Sequence, residues 1–230
     1  MSGNPLEFSV PVENGAPSPS SAPAPSGVVV VAASAGGLEA VGTLVSRLPA
    51  SFPLPLILVL HRAPSAAHDH LVRLLQHRTK LRVTAAHQGA TLGAGTLYVA
   101  PTGRHISVAH DRTISLWFGA PIHHVRPSAD PLFASAAAVY GAEAIGVVLT
   151  GGDGDGSFGV RIIKAGGGTV LAQDRESSRV FAMPAAAAAT GLVDAVLPPG
   201  EIAVALQRLT GTEPATEPPR LVAAPPVPAS

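Results

Sequence analysis

Short apolar runs alternate with helical patterns along most of the chain. The run from Val28 to Val31 consists only of valine, which is typical of a parallel strand covered on both faces. Leucine and valine then recur at helical spacing from Leu38 to Leu48. The pattern predicts an α/β fold with a doubly wound, mostly parallel sheet and helices on both faces. Further strands are expected at Leu56 to His61 and Ala144 to Thr150, further helices at about Ser65 to Gln76 and Asp130 to Tyr140, and Val160 to Lys164, Thr169 to Ala172 and Asp194 to Leu197 complete the alternation.

A second pattern, with short alternating segments and turn residues between them, lies in the middle of the chain. The segments are Leu97 to Ala100, Ile106 to Ala109 and Thr113 to Phe118. Apolar and polar side chains that alternate over a few residues are typical of antiparallel strands. We therefore expect a small antiparallel hairpin or meander beside the parallel sheet.

Both ends of the chain differ from the region between them. They are rich in Pro, Ser and Ala, and such segments stay extended because they cannot build a core. We expect disordered tails at residues 1 to 26 and 211 to 230, and one folded domain from residue 27 to residue 210.

Composition narrows the class of protein. Hydrophobic residues make up 47% of the chain, enough for a sizeable core, and a formal net charge of zero argues against a nucleic-acid partner. The sequence has no cysteine, which excludes disulfides, cysteine nucleophiles and thiolate zinc sites. The N-terminus lacks a signal-peptide pattern, and the longest apolar stretches fall far short of the ~20 residues that span a membrane. We expect a cytoplasmic protein that is not inserted in a membrane.

Ser34 lies at the carboxyl end of the first predicted strand, on a turn into a helix. This position exposes a nucleophilic hydroxyl beside a helix N-terminus, where backbone amides can hold an oxyanion. Gly36 and Gly37 would let a substrate approach the backbone closely. The alternative is a serine that only caps the helix. A nucleotide loop is excluded because neither of its glycine-rich motifs is present.

His61 closes the second predicted strand and should lie at the same sheet edge as Ser34. It could then accept the serine proton, although a histidine bonded to a nearby carbonyl is an alternative. The pair His68 and His70 is not predicted to bind metal, because residues two apart on a helix point in different directions. Seven histidines in polar or loop contexts are predicted to lie at the surface: His68, His70, His77, His87, His110, His123 and His124.

The loop from Gly151 to Gly156 follows another predicted strand and contains two aspartates. A carboxylate at this position could orient His61 and stabilise its imidazolium. A calcium loop of the EF-hand type would need Gly and Glu where the chain has Phe158 and Lys164, so calcium is not expected. A flexible loop without a catalytic role remains the alternative.

These residues resemble the catalytic domain of bacterial chemotaxis protein-glutamate methylesterases, the CheB family. The resemblance covers nearly all of residues 28 to 209, and its segments occur in the family's order. They are Ala33-Ser34-Ala35-Gly36-Gly37, the strand that ends in His61, Tyr98 to His105, Arg126 to Phe133, Gly146 to Gly159, Ala172-Gln173-Asp174, Phe181-Ala182-Met183-Pro184 and Gly191-Leu192-Val193-Asp194.

The resemblance implies a serine hydrolase in which Ser34, His61 and Asp155 form the catalytic triad. Enzymes of this family remove methyl esters from receptor glutamates, release methanol and deamidate certain glutamines. A methyl-accepting chemotaxis receptor is therefore the expected partner, and no metal or organic cofactor is implied.

Five further residues are expected at the site. Backbone amides near Ala35, Gly36 and Gly152 are expected to form the oxyanion hole. Arg104 and Arg126 are expected to position the receptor helix, to buttress the loops of the site, or to form structural salt bridges.

The chain departs from the family pattern beside the expected site. Ala35 replaces Thr, Arg62 replaces Met, and Gly152 and Asp153 replace Met and Gly. Since Asp153 fills a glycine position, we expect Asp155 rather than Asp153 to orient His61. The changes leave open a degenerate member that binds a signalling partner without turnover, or an esterase for another substrate.

Most family members also carry an N-terminal receiver domain. Only about 27 residues precede the first strand here, so we expect a stand-alone domain that is active without phosphorylation.

Overall fold

The computed structural model describes residues 25–62 and 68–212. Strands and helices alternate through this part of the chain, with a short 3-10 turn at Gly141–Glu143. The strands are β1 (Val28–Ala33), β2 (Leu56–Leu60), β3 (Arg82–Ala85), β4 (Thr96–Val99), β5 (His105–Val108), β6 (Ile114–Trp117), β7 (Ala144–Val148), β8 (Thr169–Gln173) and β9 (Ala195–Leu197). The helices are α1 (Gly37–Ser46), α2 (His68–Gln76), α3 (Ala129–Tyr140), α4 (Ser157–Ala165), α5 (Ala182–Ala188) and α6 (Pro199–Leu209).

Seven strands form one parallel sheet in the order β3-β4-β2-β1-β7-β8-β9. All six residues of β1, at the centre, are buried. Val29 and Val31 belong to an apolar core shared with α1, α2 and α6, whereas Val28 and Val30 belong to a second core shared with α3, α4 and α5. A strand covered on both faces explains why its sequence is apolar throughout rather than alternating. The predicted α/β class, with helices on both faces, is confirmed.

The predicted antiparallel hairpin is also present. Strands β5 and β6 pair from His105 with Trp117 to Val108 with Ile114, and Ile106 and Ile114 pack in the same core as α3. The expectation that Leu97 to Ala100 belongs to this hairpin or meander is wrong. This segment lies in β4, which pairs in parallel with β2 and is buried along its whole length. A short apolar strand does not reveal from its own sequence which sheet it joins.

Several elements differ from the sequence-based expectations. The edge strand β3 and the helices α5 and α6 were not predicted, and α5 lacks apolar periodicity because five of its seven residues are alanine. His61 follows β2 rather than ending it. The expected alternation does continue through Val160 to Lys164, which lies within α4 between β7 and β8. The predicted start of the second helix, and residues 1–24 and 213–230 of the two predicted tails, lie outside the described residues.

The chain reverses its direction across the sheet at β1. It proceeds from β1 to β2 on one side and returns to β7 on the other. The residues that follow these strands are joined by backbone hydrogen bonds, from the His61 amide to the Ala33 carbonyl oxygen and from the Ser34 amide to the Thr150 carbonyl oxygen, both at 2.9 Å. In doubly wound sheets, ligands bind where the strand order reverses, outside the carboxyl ends of the strands. No helix in the described ranges has both the length and the apolar character to cross a membrane.

Candidate active site

Ser34 is the first residue after β1 and lies on the turn into α1. The N-cap of α1 is Gly36, and no side chain caps the helix, so the alternative that Ser34 serves as its cap is wrong. Gly36 adopts a φ of +80°, and a side chain there would lie 2.6 Å from Arg179 Cβ. Glycine is therefore required for both the conformation and the space, and the turn leaves the Ser34 hydroxyl without a capping role.

His61 and Asp155 are joined by a hydrogen bond at the same sheet edge. His61 Nε2 lies 2.8 Å from Asp155 Oδ2, and their side chains are 6% and 0% exposed. Ser34 and His61 line the same two clefts. Within the described residues, however, no hydrogen bond links the Ser34 hydroxyl to the imidazole. The three residues predicted from the sequence are thus brought to one edge, with His61 and Asp155 in direct contact.

Asp155 is buried among three hydrogen-bond donors. Besides His61, the Ala129 amide donates to Oδ2 at 2.6 Å and the Ser128 hydroxyl donates to Oδ1 at 2.5 Å. Burial alone raises the pKa of Asp155, but the bonds from His61, Ala129 and Ser128 lower it, and the net pKa lies below the ordinary carboxyl value. The carboxylate also faces the N-terminus of α3, where negative charge is favoured. Asp155 is therefore ionised at neutral pH.

His105 and Ser128 support Asp155, and neither role was predicted from the sequence. His105 is fully buried and stacks on Trp117 with ring centroids 4.6 Å apart. Its Nε2 donates to the Ala120 carbonyl oxygen at 3.0 Å, and its Nδ1 accepts from the Ser128 amide at 3.3 Å. A serine directly before a helical pattern is a sequence signal for a cap, and Ser128 does cap α3. Its bond to Asp155 has no comparable signal, because the two residues are 27 positions apart.

Asp153 contacts the other nitrogen of the His61 ring. Its Oδ2 lies 3.3 Å from His61 Nδ1, and the side chain is 29% exposed. Its Oδ1 accepts from the Asp155 amide at 3.1 Å, so its own loop holds the carboxylate in place. The expectation that Asp155 rather than Asp153 orients His61 stays a prediction: Asp155 forms the hydrogen bond to the ring, and Asp153 lies beside the other nitrogen without one.

Two clefts meet at Ser34 and His61. The larger, of about 620 Å³, is lined by both apolar and charged side chains, and the smaller, of about 430 Å³, is bounded by the loop that precedes α3. In the described part of the chain, no hydrogen-bond partner is seen for the amides of Ala35, Gly36 and Gly152, the donors expected to form the oxyanion hole. The larger cleft includes Leu38, Leu60, Leu71, Leu74, Arg78 and Arg179; the smaller includes Gly103, Pro121, His124, Val125, Arg126 and Pro127.

The two arginines predicted at the site differ in position. Arg126 lines the smaller cleft, and its guanidinium donates to the Gly119 carbonyl oxygen at 2.7 Å. Arg104 lies over the Phe118 ring, 4.4 Å from its centroid. Among the described residues neither forms an ion pair, so the salt-bridge alternative finds no support there.

One group of side chains has the spacing of a metal site. His123, Asp130 and Asp155 each place a ligand atom within 4.8 Å of the others. The carboxylates already accept backbone hydrogen bonds, Asp130 from Gly159 at 2.8 Å and Asp155 from Ala129. Burial is the largest cause that raises the pKa of Asp130 above its ordinary value, which weakens it as a metal ligand.

The histidines predicted at the surface are exposed wherever the structure describes them. The side chain of His68 lies outside the described residues. The exposed ones are His70, His77, His87, His110, His123 and His124.

Residues 29–206 match the sequence profile of a family described as CheB methylesterase. The chain is 43% identical to protein-glutamate methylesterase/protein-glutamine glutaminase 2 of Anaeromyxobacter dehalogenans, over 80% of this chain and 53% of that protein. It is 34% identical to a putative protein-glutamate methylesterase/protein-glutamine glutaminase of Leptospira interrogans, over 79% and 93%. The crystal structure of the Thermotoga maritima CheB methylesterase catalytic domain matches with a TM-score of 0.77 and 33% identity, over 80% of this chain and 98% of that one. The chain thus spans about half the length of the first curated relatives it matches.

Proposed function

Because the chain belongs to the CheB methylesterase family, we propose that it is a serine hydrolase that demethylates glutamate methyl esters on a methyl-accepting chemotaxis receptor. In this proposal Ser34 is the nucleophile, His61 the base and Asp155 the acid of a catalytic triad. The observation that carries it is the buried 2.8 Å contact between His61 and Asp155, beside Ser34 at the edge where the strand order reverses.

The proposed reaction proceeds through an acyl-serine. Ser34 Oγ attacks the ester carbonyl carbon while His61 Nδ1 takes the hydroxyl proton, since Asp155 already holds Nε2. The amides of Ala35, Gly36 and Gly152 stabilise the oxyanion. His61 then delivers the proton to methoxide, and methanol leaves. Water, deprotonated by the same nitrogen, hydrolyses the acyl-serine to glutamate and restores Ser34.

We propose that the receptor segment lies across the two clefts, with the methylated side chain at Ser34. Arg62, Arg126 and Arg179 line these clefts, so an acidic segment fits better than a basic one. A glutamine side chain presents the same carbonyl with ammonia as the leaving group, so deamidation needs no additional catalytic residue.

We place this activity in the cytoplasm and in one domain, residues 27 to 210. A sequence of 230 residues without cysteine suits a reducing compartment. The profile match at residues 29–206 falls within the proposed domain.

The test is substitution of the nucleophile. Ser34→Ala should abolish methanol release from methylated receptor and labelling by a fluorophosphonate probe, because no nucleophile remains. Its unfolding free energy should change by at most ~1 kcal/mol, since a turn hydroxyl contributes little packing. Ser46→Ala, on the exposed end of α1, is the matched control and should keep both activities. Near-wild-type turnover by Ser34→Ala would contradict the assignment.

A second candidate is a domain that binds a signalling partner without turnover. The contact of Asp153 with His61 Nδ1 favours it, because that nitrogen must accept the serine proton. Such a domain would not react with the probe. An esterase for another substrate would react, yet would release no methanol from methylated receptor.

A further inference from the structure

The imidazole of His61 is enclosed by carboxylates on both sides. Asp155 Oδ2 lies 2.8 Å from Nε2, and Asp153 Oδ2 lies 3.3 Å from Nδ1. Nδ1 is buried and has no aligned hydrogen-bond partner, so the second contact is an electrostatic one. The Asp153 carboxylate therefore occupies the side of the imidazole on which the Ser34 proton must arrive.

The two carboxylates differ in how firmly they are held. The Asp155 side chain is fully buried and accepts three hydrogen bonds. The Asp153 side chain is 29% exposed, and the one hydrogen bond it receives within the described residues comes from the Asp155 amide. It is flanked by Gly152 and Gly154, and a side chain at Gly154 would meet nothing within 4 Å. Asp153 can therefore turn towards solvent while Asp155 stays in place.

We propose that Asp153 acts as a brake on the active site, by occupying the side of His61 from which Ser34 must be deprotonated. The brake is released when the Asp153 carboxylate turns away from Nδ1. This inference rests on the proposed function, since it assumes that His61 is the base for Ser34. It makes Asp153 a positioning residue that sets how much of the enzyme is ready to react.

Other charged groups around His61 cannot replace Asp153 in this role. Arginine keeps its proton at all working pH values and cannot compete for a proton on Nδ1. Glu39 lies on α1 and lines the larger cleft, but within the described residues it forms no ion pair with His61. The titratable and charged residues of the surrounding elements are Asp153 and Asp155 after β7, Arg62 after β2, His124 and Arg126 before α3, Arg179 before α5, Glu39 on α1, and His70 and Arg78 at α2 and its end.

The experiment compares the wild-type chain with Asp153→Asn and Asp153→Gly. Asparagine removes the charge yet keeps an oxygen for the Asp155 amide. We expect kcat/KM for a methyl ester at pH 7 to rise roughly five- to tenfold in Asp153→Asn, the effect of removing one partly solvated charge at this distance. The acid limb of the pH–rate profile, measured from about pH 5.5 to about pH 9, should move to lower pH. A residue that only supports the loop would leave that limb in place.

Asp111→Asn is the matched control. Asp111 accepts from the amide two residues later, at 3.1 Å from Thr113, as Asp153 does from Asp155, but it lies on the β5–β6 hairpin. This variant should leave kcat/KM and the pH profile unchanged.

Nitrogen NMR of His61 separates the brake from the proposed function. The signal of Nδ1 should differ between the wild type and Asp153→Asn, because the variant removes the carboxylate beside that nitrogen, whether or not any ester is hydrolysed. An Asp153→Asn variant that is no faster, with an unmoved acid limb and an unchanged NMR signal, would overturn the brake. If neither the wild type nor any variant is labelled by the probe, the triad is overturned instead. The NMR comparison then still decides whether Asp153 acts on Nδ1.

Discussion

Replacing Ser128 by Ala should weaken both the fold and the reaction, through Asp155. The substitution removes the 2.5 Å hydrogen bond from the Ser128 hydroxyl to Asp155 and the acceptor of the Asp130 amide at 3.3 Å. Ser128 and Asp155 are 0% and 1% exposed, so water does not replace the lost donor. A hydrogen bond to a charged group contributes about 1.5–3 kcal/mol, and loss of a serine cap whose bond is as long as this one adds about 0.5 kcal/mol, so we expect a loss of about 2–3.5 kcal/mol at pH 7.

The loss of unfolding free energy in Ser128→Ala should depend on pH. The pKa of Asp155 is lowered in the folded protein, so its stabilisation is present above the unfolded pKa, about 3.9, and is lost as pH falls through the folded value. Loss of one of the three donors moves the folded pKa of Asp155 upwards. The difference in unfolding free energy between the wild type and Ser128→Ala should therefore shrink as pH falls below about 4.

The assays are urea unfolding at several pH values and ester hydrolysis at pH 7. Asp155 keeps its bonds to His61 and Ala129, so kcat should fall by roughly ten- to a hundredfold, less than when the carboxylate itself is removed. Ser135→Ala is the control on α3, since its hydroxyl bonds only to neutral backbone groups of Val108 and Leu132. It should cost about 1 kcal/mol at every pH and leave kcat unchanged. An equal, pH-independent loss in both variants would refute the role given to Ser128.

Three further predictions follow from the site and its surroundings. Asp155→Asn should lower kcat by several orders of magnitude, by analogy with a loss of about 10⁴-fold in a serine-protease triad, and an effect as small as that of Ser135→Ala would contradict the triad. Gly151→Ala should slow probe labelling at Ser34 and destabilise the fold by about 1–3 kcal/mol, because the new Cβ would lie 2.0 Å from Met183 Sδ and 2.8 Å from Ser34 Cβ; labelling at the wild-type rate would show that the turn tolerates it. Deletion of residues 1–26 should leave ester hydrolysis nearly unchanged, since this Pro- and Ser-rich segment offers little apolar surface for docking, whereas activation by several fold would identify it as an autoinhibitor.

The common sheet edge of Ser34, His61 and the loop from Gly151 to Gly156 could be predicted because each follows an apolar run that becomes a strand buried on both faces, whereas the choice of Asp155 within that loop is implied by the resemblance to the CheB family. Such runs indicate parallel strands, and their carboxyl ends meet at one edge. The order of the strands could not be predicted in this way. Thr96–Val99 pairs with β2 rather than with the hairpin, and this choice depends on packing between residues about 40 positions apart.

The residues that hold Asp155 in place could not be predicted, for a related reason. Ser128 shows a cap signal and His105 shows none, and their effect on Asp155 arises only when α3 docks against the loop after β7. The same holds for Asp153. Its spacing from Asp155 is plain in the sequence, but the turn of the glycine-rich loop decides that both carboxylates reach one imidazole.

Asp153 and Asp155 differ in burial, and their expected effects on His61 differ accordingly. A buried carboxylate with three donors stays ionised and fixed, so Asp155 can orient His61 throughout a catalytic cycle without moving. A partly exposed carboxylate with a single hydrogen-bond donor is only weakly stabilised beside His61, because solvent can hydrate it equally well once it turns away. Asp153 can thus delay the reaction without preventing it. In the proposed brake, Asp153 adds a step before chemistry, whereas a glycine at this position would leave His61 Nδ1 available at all times.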